Sequence, residues 1–222
     1  LPSVANPVTT GAITADCTST ANVAVDAGTG GVVISQGYSG GGAGGSYYLF
    51  DYVELFNAGS TSVDLTGYSL QYGSATGNFG GSAQQIFAFP ASTTMAAGTY
   101  LLVQTGASNG GAALGCWATA TPCALPHADI ADLVAWGTAN NAEGGAAVAA
   151  LSVSTAAVRK TAGCQDTDNN AADFDVATAP LAPRNASSPA NTCGAPPVTH
   201  AVTPSVGTPS GSISPTTAQT VH

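Results

Sequence analysis

The sequence predicts an all-β sandwich with extended ends, and three observations carry that expectation. Only 7% of the 222 residues are charged, against about a quarter in ordinary globular proteins, too few for a charge-laced helical surface. Short runs of β-branched and aromatic residues recur between clusters of Gly, Ser, Thr and Asn, the pattern of strands and turns. Hydrophobic residues make up 44% of the chain, which argues against disorder along its whole length.

Taken in order, residues 1–30 are rich in Thr, Ala, Val and Gly without a clear period and read as an extended N-terminal segment. Residues 31–193 carry the strands. Val32–Gln36, in GVVISQ, comes first. The segment Gly37–Ser46, GYSGGGAGGS, follows it. A phosphate loop would need a GK[ST] ending and a helix after it, whereas SYYLFDYVELF continues as a strand, so a hairpin or edge loop is expected. In DYVELFN, Tyr52–Phe56 alternates, with Tyr52, Glu54 and Phe56 on one face and Val53 and Leu55 on the other. The run STSVDLTGYSLQY repeats turn, strand, turn, strand over about a dozen residues, the rhythm of a sandwich. Ser69–Tyr72, Gln85–Phe89 and Tyr100–Gln104 complete the strongest strands. Ala142–Ala150 is alanine-rich, but Gly144 and Gly145 interrupt it as a helix. Residues 194–222 have the Pro, Ser and Thr composition of a linker or stalk.

Charge and cysteine content narrow the function. Twelve acids against three bases, Arg159, Lys160 and Arg184, give a net charge of −9. No basic surface exists to neutralise phosphates, so direct nucleic-acid binding is not expected. No run reaches the roughly 20 apolar residues of a transmembrane helix, and the N-terminus lacks the features of a signal peptide, so Leu1 is expected to follow a processing event or boundary. Cys116 with Cys123 and Cys164 with Cys193 bracket short loops, and disulfides there would contribute roughly 2.5 and 3.5 kcal/mol in the chain-entropy description. Zinc is the rival reading, but C-x-x-C pairs are lacking. Cys17 is left over, as a free thiol, an intermolecular link or a sign of other pairing.

The block VVISQGYSGGG…YYLFDYVELFNAGSTSVDLTGYSLQY resembles the start of a lamin-tail domain. ADLVAWGTANNAEGGAA…LSVSTAAVRKTAGCQDTDNNAADFDVATAPLAPRN is similar to the end of the bacterial form. The resemblance covers residues 31–193 and implies an immunoglobulin-like β-sandwich of an exported bacterial protein. It also implies an accessory, tethering or structural role, and it supplies no catalytic site. One departure stands out: between YLLVQ and DLVAWG a further strand is expected, where the chain passes quickly through GCWATATPCALPHAD.

Residues with chemical potential were weighed in turn. Asp166, Asp168 and Asn170 occupy alternate positions in QDTDNNAADFD, as the first three ligands of a calcium loop would. The sixth position is Ala171 and the twelfth Ala177, where Gly and Glu belong. Calcium held with Asp173, Asp175 or carbonyls, and a polar turn capped by Asx side chains, both remain open. In PHADIAD, Asp129 shares a strand face with His127 while Asp132 does not. GxSxG is absent. Glu54 and Glu143 are the only glutamates, and Glu54 is expected to satisfy backbone donors or to pair with Arg159 in a buried structural pair. Asn185-Ala186-Ser187 matches a glycosylation sequon, which reads here as part of a terminal turn.

These observations point away from an enzyme and, calcium apart, from any cofactor. The expectation is a secreted or cell-surface structural, adhesive or assembly module, self-associating through its extended termini, as a surface-fibre subunit does by terminal strand exchange. The alternative is an accessory or tethering domain of a secreted nuclease or phosphoesterase.

Overall fold

The structure, a computed structural model, describes residues 19–24, 31–77, 79, 85–105, 125, 130–193, 200–202 and 219–221. The strands are β1 (Ser19–Ala24), β2 (Val32–Tyr38), β3 (Tyr52–Asn57), β4 (Val63–Asp64), β5 (Ser69–Ser74), β6 (Ile86–Ala88), β7 (Thr94–Met95), β8 (Tyr100–Gln104), β9 (Asp132–Ala135), β10 (Thr155–Arg159), β11 (Phe174–Thr178), β12 (His200–Val202) and β13 (Gln219–Val221). A single helical turn, α1 (Asn170–Asp173), precedes β11.

The fold is an all-β, immunoglobulin-like sandwich. One sheet has the order β11-β10-β2-β3-β8 and the other β6-β5-β1-β9, with two-stranded pairs β4-β7 and β12-β13 beside them. All these pairings are antiparallel. The alternation in DYVELFN places Val53 and Leu55 in the core between the sheets, with Ile34, Leu70, Val103, Val134 and Phe174. Each large aliphatic side chain buried there contributes roughly 1.5–3 kcal/mol.

The β2 strand does not alternate throughout. Its register against β3 shifts between Ile34 and Gln36, a β-bulge that re-aims the residues after it. Val32 and Ile34 face the core, Val33 joins a cluster with Phe56 and Tyr100, and after the bulge Tyr38 lies with Tyr52 and Leu181. Strict alternation would have sent Tyr38 into the inter-sheet core.

The side of the five-stranded sheet away from the other sheet is also buried. Tyr38, Tyr52 and Ala156 pack against Leu181, and Val33, Phe56 and Tyr100 pack with Cys164 and Cys193. The chain from Ala179 to Cys193 therefore forms a strap over that face. Ala179 N–H donates to Ser154 O at one end, and Asn191 N–H donates to Gly98 O near the other. Cys164 and Cys193 are joined by a disulfide, with Cα atoms 5.3 Å apart. Gly163, just before it, has φ +104°, and a Cβ there would lie 2.7 Å from the Phe56 ring. The turn into the bridge thus has room only for glycine.

The β1 strand lies inside the four-stranded sheet. It pairs with β5 from Ser19↔Ser74 to Ala24↔Ser69 and with β9 from Thr20↔Ala135 to Val23↔Asp132.

Candidate functional site

The buried ion pairs of the sandwich fall into two groups, one on each side of the five-stranded sheet. Between the sheets, Arg159 is 1% exposed. Its Nη2 donates to Asp132 Oδ2 at 2.6 Å, its Nε to Ile34 O at 2.8 Å, and its Nη1 to Asp166 Oδ1 at 2.9 Å. The guanidinium also lies 4.4 Å from the centre of the Phe174 ring. Asp132 in turn accepts from Ile34 N at 2.5 Å and Leu133 N at 2.8 Å. The β2–β10 ladder covers only Gly37 and Gln36. Next to the bulge, these two side chains occupy both the N–H and the C=O of Ile34, so the pair fastens β9 and β10 together through a backbone group that the β2–β10 ladder does not reach.

Burial pushes the Asp132 carboxyl above its ordinary value, opposed by the adjacent guanidinium. Burial also works to lower the Arg159 pKa, but Asp132 and Asp166 outweigh it, and the net shift is upward. Arg159 is therefore a fixed positive charge.

On the strap side, Glu54 is fully buried. Its Oε1 accepts from Ser35 Oγ at 2.5 Å and from Arg184 Nη2 at 2.7 Å and Nε at 3.1 Å, while Oε2 accepts from the Arg184 backbone N–H. Arg184 also donates to Tyr100 Oη at 2.8 Å and stacks over that ring at 4.0 Å. Of the two roles expected of Glu54, a backbone donor is met in the Arg184 N–H, whereas the pairing with Arg159 is corrected: Glu54 pairs with Arg184, and Arg159 with Asp132 and Asp166. The reason is parity. Arg159 is two residues from the core-facing Ala157 and shares its face, whereas Glu54 alternates with core-facing Val53 and Leu55.

The alternate residues Asp166, Asp168 and Asn170 do not converge on one point. Asp166 is spent on Arg159. Asn170, fully buried, turns the other way and docks on β9, accepting from Ala135 N at 2.9 Å and donating to Leu133 O at 2.6 Å. Asp168 sits at φ +52°. Asp173 is likewise inward, accepting from Thr167 N and Oγ1, both at 2.8 Å, and from Asn169 N. Among the described residues no group of three or more His, Cys, Asp or Glu is placed to hold a metal ion. The Asx-capped turn thus organises α1, with the Asn169 side chain accepting from Ala172 N. Cys17, Cys116, Cys123, His127 and Asp129 lie outside the described residues.

The run SYYLFDYVELF, expected to continue as a strand, does so only from Tyr52; Tyr47 to Phe50 are bends instead. Tyr47, Leu49 and Phe50 are exposed, and with Tyr48, Tyr52 and Pro183 they line a surface cleft of about 380 Å³. Tyr52 is 5% exposed, and its hydroxyl is buried with no hydrogen-bond partner among the described residues. Leaving such a group unsatisfied costs roughly 1–3 kcal/mol. Burial, with Tyr48 and Glu54 nearby, holds that hydroxyl far above the ordinary tyrosine value. The signal in the sequence was the run YYLFDY, too apolar for an ordinary turn.

With this geometry in view, comparison with known families is decisive. The family model of the lamin tail domain matches residues 26–168, more than half of the chain. The chain belongs to the lamin tail domain family. Comparisons with curated proteins and with solved structures found no match. Lamin tail domains are in general non-catalytic immunoglobulin-like modules. No described helix is long and apolar enough to cross a membrane.

The matched segment of this lamin tail domain leaves out β1, before residue 26, and α1, β11 and the strap, after residue 168. The expected departure in GCWATATPCALPHAD lies almost wholly outside the described residues.

The inter-sheet network also makes a pH prediction. Glu143, 9% exposed, accepts from Asn170 Nδ2 at 3.0 Å. Burial, reinforced by Asp132, pushes its carboxyl from 4.5 up to about 9. A raised acid contributes stability that is complete below the unfolded value and is lost as pH rises toward the folded one. Between about pH 5 and about pH 9 this residue should therefore remove on the order of 1 kcal/mol per pH unit. Urea titrations across that range should show a flatter slope for Glu143→Gln, which keeps the acceptor oxygen but cannot ionise; identical slopes would refute it. Asp173 acts in the opposite sense. Burial raises its carboxyl, but the Thr167 and Asn169 hydrogen bonds outweigh this and hold it below the ordinary value, so its contribution is lost only as pH falls through that lowered value.

Proposed function

We propose that this lamin tail domain is a non-catalytic structural or assembly module outside the cell, joined to further copies by exchange of its N-terminal strand. The observation that supports this reading is the position of β1. It comes from residues before the matched family segment, yet it is held by backbone pairing on both sides, to β5 and to β9. Backbone pairing tolerates many side chains, so the slot between β5 and β9 accepts the same strand from a neighbouring copy. A strand donated head to tail generates an open chain of subunits. The buried charges agree with a structural role, because Glu54, Asp132, Arg159 and Asp173 are each engaged in holding the fold.

The test is a cross-link between the paired positions Asn22 and Gln71. An Asn22→Cys/Gln71→Cys variant is prepared as isotopically heavy and light chains, mixed at high concentration and oxidised. Mass spectrometry should find heavy–light cross-linked peptides joining the two introduced cysteines. Cross-links confined to chains of one label would reject strand exchange.

A further inference from the structure

We propose that the cleft beneath the YYLFDY stretch is a binding site for a neutral carbohydrate chain. Three of the four large exposed hydrophobic side chains among the described residues, Tyr47, Leu49 and Phe50, come from this stretch, at 48%, 78% and 43% exposure. A contiguous exposed apolar patch of this kind marks a contact surface. The cleft of about 380 Å³ is within the range of small-ligand sites, roughly 300–1,000 Å³.

Tyr47 and Tyr48 are held in place before any ligand arrives. Tyr38 Oη accepts from Tyr47 N at 3.2 Å and donates to Val153 O at 2.6 Å, and Tyr47 N also donates to Val153 O. Tyr48 donates its hydroxyl to Leu181 O at 2.8 Å, tying the stretch to the strap. The Tyr47 and Tyr48 rings meet edge to face at 4.9 Å, and Tyr48 meets Tyr52 in the same way at 5.6 Å. The glycine loop closes tightly behind them: a Cβ on Gly41 would lie 2.2 Å from the Phe50 backbone. Rigid exposed rings of this sort bind without a large ordering cost.

The chemistry of the lining selects the ligand. No Lys, Arg or His lines the cleft, and the chain carries a net charge of −9, so acidic sugars and phosphates are disfavoured. Flat aromatic faces suit the C–H faces of pyranose rings. Polar groups at the edges suit their hydroxyls. Asp51 spends Oδ1 on Gly41 N–H at 2.6 Å, and its other oxygen makes no hydrogen bond among the described residues. The Tyr52 hydroxyl, buried and without a hydrogen-bond partner among the described residues, belongs to a side chain that lines the same cleft, and a sugar hydroxyl that reaches it would satisfy it. A ligand that is apolar on its faces and neutral but hydroxylated at its rim meets all three requirements.

The experiment is native affinity electrophoresis of the full chain in gels cast with neutral polysaccharides, namely hydroxyethylcellulose, xylan and galactomannan, followed by calorimetry with the matching hexasaccharide. At least one polymer should retard the protein. Tyr47→Ala and Phe50→Ala should each weaken hexasaccharide binding at least about tenfold, and Tyr52→Phe several-fold, with melting temperatures of the two surface variants unchanged. The proposal falls if no polymer retards the chain, or if the variants are retarded as strongly as the parent. It also falls if the patch drives self-association instead, seen as a dimer in sedimentation equilibrium that Leu49→Asp abolishes.

Discussion

Replacing Arg159 by methionine should destabilise the domain by about 3–5 kcal/mol, because removing one partner of a buried ion pair leaves the other charge unpaired. Asp132, with its side chain 1% exposed, and Ile34 O would both lose their donor. For a chain of this size the melting temperature should fall by roughly 6–20 °C. The double variant Asp132→Leu/Arg159→Met removes both charges and should regain part of the loss. It should not regain all of it, since Ile34 N–H and C=O, beside the bulge, would then both lack partners, at roughly 1–3 kcal/mol each. Equilibrium urea unfolding of the three proteins decides the matter. A single variant as stable as the parent, or a double variant more stable than the parent, would contradict the role assigned to the pair.

The second large effect is expected at the strap. The Cys164→Ala/Cys193→Ala double variant should lose about 3.5 kcal/mol, the chain-entropy value for a loop of this length. The bridge spans 29 positions and encloses β11, α1 and the strap that covers Phe56 and Tyr100. The Arg184–Glu54 contacts do not depend on it, so the variant should still fold and should show the loss as a lower urea midpoint, with a somewhat steeper slope because the unfolded chain without the cross-link exposes more surface. Hydrogen exchange should quicken in the 179–193 strap before it does so in β3. Parent-like stability in the double variant would mean that the contacts of the strap, and not the covalent link, hold it down.

Much of the sandwich was legible because strand periodicity is local. Low charge, the alternation in DYVELFN and the turn spacing located β2, β3, β5, β6 and β8 to within two residues at each end, and Val53 and Leu55 do face the core. The family could be recognised from the same blocks. The site was less legible. The exposed stretch YYLFDY was visible as letters, but its significance lies in its meeting Pro183 and Gln104 at one cleft, which no spacing rule relates to it.

The sequence by itself determined where five of the strands lie, that Val53 and Leu55 share one face of β3 with Tyr52, Glu54 and Phe56 on the other, and that the protein carries few charges. Only the tertiary structure decided which charges meet. Arg159 finds Asp132, 27 positions away, and Glu54 finds Arg184, 130 positions away. The β2 bulge sends Tyr38 to the strap side, and β1 enters the middle of a sheet. The physical reason is that alternation has a period of two and is written into neighbouring residues. Partner choice instead depends on register and sheet order, which arise from contacts between segments far apart along the chain.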